Sequence, residues 1–201
     1  MATSLDVATR HGVARAHVHA ATAPVGAVVL GHGAGGGVQA PDLAALAAAL
    51  PGLGWTTVLV EQPYRVAGRR VPPRAPVLDE AFADVVTHLR ARGHLPGALV
   101  VGGRSAGARV ACRTAAATRA DAVLCLAFPT RPPGRADRPS RLPELDAVTV
   151  AVLVVQGATD PYGTPPAAPG RAVVTVPGDH ALRRDVPAVV AAVTDWLAGL
   201  A

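Results

Sequence analysis

The stretch LVVGGRSAG, residues 99–107, decides the fold predicted for this chain. An apolar run of the kind that forms a buried strand leads into two glycines, and the helical pattern ARVACRTAAATR follows directly. Gly103, Ser105 and Gly107 thus form G-x-S-x-G at a strand-to-helix turn. A very tight turn there projects the serine hydroxyl clear of the sheet, as a nucleophilic serine requires. The alternative is a helix start rich in alanine and glycine that carries no chemistry.

Short apolar runs and helical patterns alternate along the rest of the chain. Such alternation predicts an α/β fold, in which a mostly parallel sheet is covered by helices on both faces. We expect residues 1–201 to form a single domain, with a possible antiparallel edge hairpin within residues 1–24. The predicted parallel strands are residues 25–31, 55–61, 98–103, 122–128, 150–156 and 172–176.

A nucleophilic serine needs a base, and the base needs a group that orients it. In folds of this kind the chain order is serine, acid, histidine. Asp160 follows the apolar run VAVLVVQ, and His180, the one histidine after Ser105, follows AVVTV. Both lie just beyond predicted strands, at the edge where such folds place ligands. We predict that these three residues form a catalytic triad; alternatively Asp160 forms a turn and His180 is an exposed loop residue.

The glycine-rich stretch AVVLGHGAGGG, residues 27–37, allows two interpretations. Its glycines satisfy G-x-G-x-x-G, and Glu61 closes the next apolar run, as in a dinucleotide-binding fingerprint. That fingerprint requires a helix to begin within the glycine turn, whereas the helical pattern here begins only near Pro41. A His-Gly loop has no such requirement, because it only turns a backbone N–H toward a reacting carbonyl. We therefore predict that the amides of Ala34 and Ala106 form an oxyanion hole.

Composition argues against several other classes of protein. The 201 residues are 50% hydrophobic, and the 19 basic residues, all arginine, give a net charge of +5. Aromatic residues make up only 3%, too few for base-stacking platforms, so nucleic-acid binding is not expected. No apolar stretch is long enough to span a membrane, no signal peptide is evident, and no metal-ligand spacing occurs. We expect a cytoplasmic protein without a cofactor, in which Cys112 and Cys125 are small core residues rather than a disulfide.

These motifs resemble the α/β-hydrolase superfamily, and more closely the small bacterial dienelactone-hydrolase-like proteins that share a domain with eukaryotic testis-expressed and NSL-complex subunit proteins. The resemblance rests on VVLGHGAGGG, EQPYRVAGRRVPPRAP, LVVGGRSAGARVA, LAFPTRPPGR, LVVQGATDPYGT and VPGDHAL. It implies an α/β-hydrolase core with a triad at Ser105, Asp160 and His180. Members of the group often carry Lys or Met inside the serine turn, where this chain has Arg104 and Ala106; the alanine preserves the amide.

The predicted function is a serine hydrolase of the esterase or thioesterase type, acting on small or short-acyl substrates. The segment between the strands near residues 128 and 150 is too short and proline-rich for a cap domain, so an open site is expected. The alternative is a non-catalytic or weakly active binding or scaffold protein with the same fold. Arginines of two proline-rich loops, 62–76 and 129–143, either contact anionic substrates or are merely solvated. Those singled out are Arg65, Arg69, Arg70, Arg131 and Arg135.

Overall fold

The computed structural model describes residues 2–135 and 137–200, which form one eight-stranded sheet flanked by helices. The α/β-hydrolase architecture predicted from the sequence is confirmed. The strands are β1 (Thr3–Thr9), β2 (Gly12–His19), β3 (Gly26–Gly31), β4 (Trp55–Glu61), β5 (Ala98–Arg104), β6 (Ala122–Leu126), β7 (Ala151–Gly157) and β8 (Arg171–Val176). The helices are α1 (Pro41–Ala49), α2 (Pro63–Val66), α3 (Ala75–Ala91), α4 (Ala106–Thr114), α5 (Leu142–Asp146) and α6 (Val186–Ala198).

The strand order brings the loops of interest to one edge of the sheet. Across the sheet the strands run β1-β2-β4-β3-β5-β6-β7-β8, and all pairs from β4 to β8 are parallel. Their carboxyl ends therefore meet at the same edge. Because β2 runs antiparallel to β4, with Arg15 opposite Glu61, the turn between β1 and β2 lies at this edge too.

Each face of the sheet is covered by its own apolar layer. Phe82 of α3 and Val101 of β5 belong to one layer, and Leu46 of α1 and Leu124 of β6 belong to the other. Each such side chain contributes about 1.5–3 kcal/mol when fully buried. The first layer also holds Cys112 and Cys125 as free thiols, with their sulfur atoms 3.5 Å apart.

The proline-rich loops contain more helix than the sequence predicted. Within 62–76 lies α2, and α3 begins at Ala75. Pro63 and Pro76 occupy the first turns of these helices, where a missing N–H is tolerated. Between β6 and β7 the described residues form only one short helix, α5, so no cap domain covers the edge of the sheet there.

The hairpin turn is attached to α3 by charged side chains. The Arg10 guanidinium contacts Asp84 at 2.8 and 3.1 Å, and a ring nitrogen of His11 lies 2.6 Å from Glu80. Exposed pairs of this kind contribute little stability individually. Together they hold the turn against the middle of α3, and this fixes the space between the turn and the helix.

Three glycines allow α4 to lie directly on the sheet. Gly31 and Gly103 are paired neighbours at the ends of β3 and β5, and Gly107 is in the first turn of α4. A Cβ atom on Gly107 would collide with the Gly31 carbonyl and would stand 2.9 Å from the His32 carbonyl oxygen. Both obstacles are backbone atoms that cannot rotate away, so even a methyl group must displace the helix from the strand.

We therefore expect Gly107→Ala to lower the free energy of unfolding by about 1–3 kcal/mol or more, because it overpacks a backbone contact. The matched control is Gly52→Ala, where nothing lies within 4 Å of the added Cβ and a change below about 0.5 kcal/mol is expected. Urea unfolding followed by circular dichroism measures both. Equal midpoints for the two variants would contradict the close contact.

Candidate functional site

Ser105 occupies a strained turn between β5 and α4. Its backbone has φ 53° and ψ −107°, in a region that residues with a side chain adopt at a cost of about 1–3 kcal/mol. Its N–H donates to the Leu126 carbonyl at 2.8 Å, which continues the pairing of β5 with β6 up to the turn. The turn directs the hydroxyl away from the sheet toward the shared edge.

His180 and Asp160 reach Ser105 from the ends of two other strands. The Nε2 atom of His180 lies 2.8 Å from Ser105 Oγ, and its Nδ1 atom lies 2.8 Å from Asp160 Oδ2. Because a carboxylate only accepts hydrogen bonds, Nδ1 carries the proton and Nε2 is left to accept from the hydroxyl. The Asp160 side chain is fully buried, whereas that of His180 is 19% exposed. The structure thus brings together the three residues that the sequence singled out.

Two residues that the sequence analysis missed surround the carboxylate. The buried Gln156 side chain, at the end of β7, places Nε2 2.7 Å from Asp160 Oδ2 and 2.9 Å from the Gly163 carbonyl. The backbone N–H of Tyr162 donates to the other carboxylate oxygen at 2.8 Å. The Tyr162 ring lies against that of His180, with centroids 4.2 Å apart. Gln156 could have been singled out from the sequence, because it is a polar amide residue at the end of an otherwise apolar strand.

Ala34 and Ala106 line one small cavity next to the serine turn. Within residues 2–135 and 137–200, neither backbone N–H donates to a protein acceptor. Ala106 is the first residue of α4, where N–H groups have no partner inside the helix and the helix dipole favours negative charge. Two N–H groups on one cavity can together stabilise a developing oxyanion.

Residues that follow β4 hold the glycine-rich loop in place. The buried His32 ring donates from Nδ1 to the Gly33 carbonyl at 2.8 Å and accepts at Nε2 from the Gln62 N–H at 3.2 Å. Burial lowers the pKa of His32, which favours the neutral ring that these two bonds require. The Tyr64 hydroxyl donates to the Ala34 carbonyl at 3.0 Å. The position of the Ala34 amide therefore depends on the segment after β4.

Arg104, inside the serine turn, connects three parts of the edge. Its Nε atom lies 3.1 Å from a carboxylate oxygen of Asp42, which is fully buried in the first turn of α1. Its Nη2 atom donates to the backbone carbonyl of His180 at 2.8 Å. Burial raises the pKa of Asp42, and the Arg104 charge is the main influence opposing that rise. The guanidinium therefore joins the serine turn to α1 and to the histidine loop.

The five arginines singled out in the sequence do not gather in one place. Arg65 donates to the Arg69 carbonyl, and Arg69 lines a cavity beside α2. Arg70 and Arg131 are exposed, and Arg135 is paired with a neighbouring aspartate at 3.0 Å. Their contact with a substrate stays a prediction.

The family model described as an alpha/beta hydrolase domain matches residues 24–177. The chain belongs to this family. The matched part of this alpha/beta hydrolase domain contains Ser105 and Asp160 and ends three residues before His180. No curated protein matches the sequence significantly. In the described part of the chain, no helix is both long and apolar enough to cross a membrane.

Solved structures with the same fold include serine hydrolases. Est1E from Butyrivibrio proteoclasticus superposes with a TM-score of 0.77 at 15% identity, over 98% of both chains. XC6422 from Xanthomonas campestris, described as an α/β serine hydrolase without lid, gives 0.73 at 21% identity, over 97% of this chain and 94% of that one. A serine hydrolase homologue from Coxiella burnetii gives 0.74 at 15% identity, over 94% and 96%. At these identities the likeness establishes the fold.

We expect Arg104→Met to destabilise the protein by about 3–5 kcal/mol near neutral pH, because it leaves the Asp42 carboxylate buried without its cation. Adding Asp42→Leu should recover most of this loss, since replacing both partners of a buried pair by apolar groups is often nearly neutral. Urea unfolding of the wild type and of both variants measures the effect.

The loss in Arg104→Met should also depend on pH. The pKa of Asp42 is higher in the folded state than in the unfolded state. Such a carboxyl lowers the free energy of unfolding as pH rises from its unfolded-state pKa to its folded-state pKa. Without the arginine the pKa of this buried carboxyl rises further, so the loss should shrink as the buffer becomes more acidic and a larger share of Asp42 is protonated. A loss of equal size in both buffers would mean that the pair is not responsible.

Proposed function

We propose that the chain is a serine hydrolase of the esterase or thioesterase type, with Ser105 as nucleophile, His180 as general base and Asp160 as the group that orients the base. The observation that carries this proposal is the continuous hydrogen-bond chain from Oγ through the imidazole to the carboxylate, with both distances 2.8 Å. The strained serine backbone supports it, as do the amides of Ala34 and Ala106, which have no acceptor among the described residues.

In the first half of the proposed reaction, Ser105 Oγ attacks the carbonyl carbon while its proton passes to His180 Nε2. The carbonyl electron pair moves onto oxygen, and the N–H groups of Ala34 and Ala106 stabilise the charge. Asp160 stabilises the imidazolium through Nδ1. The imidazolium then gives its proton to the leaving oxygen or sulfur, the alcohol or thiol departs, and the acyl group remains on Ser105.

In the second half, water replaces the alcohol. His180 Nε2 takes a proton from water as the oxygen attacks the acyl-serine, and the oxyanion forms again at the same two amides. Collapse returns the proton to Ser105 Oγ and releases the carboxylic acid. No cofactor takes part in these steps.

The proposed subfamily and cellular location follow from the sequence resemblance and from the two cysteines. We propose that the chain is related to the dienelactone-hydrolase-like group and acts in the cytoplasm, where the two neighbouring thiols would remain reduced. The uncovered edge of the sheet between β6 and β7 favours small substrates that need no lid.

A preference for anionic leaving groups is supported by a groove of about 470 Å³ that is lined by arginines. Arg138 and Arg141 line it together with Arg109, which is paired with Glu144, and Arg135, which is paired with Asp137. The loop that carries Arg141 is hydrogen-bonded to Thr130, whose hydroxyl donates to the Tyr162 carbonyl at 2.6 Å. Since the Tyr162 ring packs on His180, the groove lies on the histidine side of the site, where the leaving group would depart.

Ser105→Ala should lower kcat for p-nitrophenyl acetate by roughly three to six orders of magnitude and abolish labelling by a fluorophosphonate probe, because the nucleophile is lost. The matched control is Ser4→Ala on the edge strand β1, whose exposed hydroxyl lies 3.0 Å from a ring nitrogen of His17 and which should retain both signals. Unchanged labelling of Ser105→Ala would contradict the mechanism. A wild-type chain without turnover or labelling would favour the binding or scaffold alternative.

The anionic preference is tested with 4-acetoxybenzoate and its neutral methyl ester. The ratio of their kcat/KM values should fall as salt is added, because screening weakens attraction between the carboxylate and the arginine groove. Arg138→Gln should reduce that ratio at low salt by about two- to fivefold. Arg92→Gln, at an exposed arginine directly after α3 and at the opposite edge of the sheet, should leave it unchanged. A ratio of the two kcat/KM values that does not change with salt would contradict the proposed anionic preference.

A further inference from the structure

A large apolar cavity lies at the edge of the sheet, between the β1–β2 turn, α2 and the start of α3. Its volume is about 710 Å³, and we refer to it as the hairpin cavity. Most of its walls are aliphatic side chains and prolines, and the basic side chains among the described residues that line it are His11 and Arg69. Val13 and Val71, which line it, are 44% and 79% exposed and are two of the five large apolar residues that are exposed in the described part of the chain. Exposed apolar walls of this kind favour an apolar ligand.

The hairpin cavity adjoins the proposed oxyanion hole. Gln62, Tyr64 and Leu78 line both the hairpin cavity and the small cavity that contains Ala34 and Ala106. The two spaces therefore share one wall. The side chains of Gln62, Tyr64 and Leu78 thus separate the reacting carbonyl from the larger space.

The strand order places the hairpin cavity and His180 on opposite sides of Ser105. The serine follows β5, the cavity lies beyond β3 next to β4 and β2, and the histidine follows β8. In the tetrahedral intermediate the leaving atom must face His180 Nε2, and the oxyanion must face the two amides. The remaining substituent of the carbon, the acyl group, is thus directed away from His180, toward the hairpin cavity.

We propose that the hairpin cavity binds the acyl group of the substrate, so that the substrate class is esters or thioesters of medium-length aliphatic or aromatic acids. Cavities of this size hold ligands well above acetyl, and acyl groups of about six to ten carbons fit the description. The proposal rests on the proposed function and names its acyl specificity. It replaces the short-acyl expectation from the sequence, which depended only on the missing cap domain.

The first test is a chain-length series of p-nitrophenyl esters from acetate to octanoate. Because each buried methylene adds apolar surface, kcat/KM should rise by roughly three- to fourfold per methylene through octanoate. A kcat/KM that is highest for acetate and falls with length would overturn the proposal.

Filling the cavity should reverse this preference. Ala67 lines the cavity and is exposed, so Ala67→Trp adds bulk there without disturbing the core. It should lower octanoate turnover about tenfold or more and leave acetate turnover within about twofold, and Val77→Trp is a second variant with the same expectation. The matched control is Leu53→Trp, at a 56% exposed position outside the cavity, which should retain the wild-type profile. A wild-type profile in both cavity variants would contradict the assignment.

A binding experiment tests the cavity without turnover. Titration calorimetry measures the affinity of the Ser105→Ala variant for octanoate and, as the comparison, for acetate. Octanoate should bind more tightly than acetate, and adding Ala67→Trp should remove the difference. If the proposed function fails, no ester is turned over and no probe labels the chain, while octanoate still binds. If the cavity assignment fails, probe labelling and acetate turnover persist. In that case kcat/KM does not rise with acyl chain length, and octanoate does not bind.

Discussion

The contact among three glycine backbones, Gly31, Gly103 and Gly107, determines the geometry of the candidate site. It allows β3, β5 and α4 to approach without a Cβ between them, so the glycine-rich loop and the serine turn emerge side by side. The strained backbone of Ser105 is tolerated because the pairing with Leu126 continues to the turn and the helix begins directly after it. A side chain at Gly103 or Gly107 would collide with the Gly31 carbonyl and shift the amide donors relative to the hydroxyl. A small shift matters for donors that act at one atom.

Polar side chains from neighbouring elements fix each proposed catalytic group. Arg104 holds the backbone of His180, Gln156 holds the carboxylate of Asp160, and Tyr64 holds the glycine-rich loop. All of these partners are largely buried, where an unpaired polar group is costly and alternative arrangements are correspondingly rare. An uncovered site cannot rely on lid closure to align its groups, so this supporting layer provides the alignment in advance.

The sequence allowed the fold to be predicted because buried parallel strands and amphipathic helices leave strong local patterns. Ser105, Asp160 and His180 could be singled out because strand ends share one edge, which converts chain order into spatial proximity. No local pattern predicts the pairing of Arg104 with Asp42, because it joins residues far apart in the chain and depends on how α1 packs. The helix α2 was missed since prolines usually mark loops, and the hairpin cavity was missed because three separate segments form it.

The two sides of the serine turn differ in polarity, and this difference bears on how a substrate would bind. The hairpin cavity offers apolar walls, whereas the groove beyond His180 offers guanidinium groups, among them Arg138 and Arg141. An ester with an apolar acyl group and an anionic leaving group would satisfy both sides in one orientation. In the reverse orientation the anion would leave the groove with several guanidinium groups and enter a mostly aliphatic cavity in which Arg69 supplies the guanidinium, so it would be desolvated at a cost with fewer partners. Orientation would then follow from burial and charge on the two sides, and the carbonyl would reach Ser105 with its leaving atom already facing the imidazole.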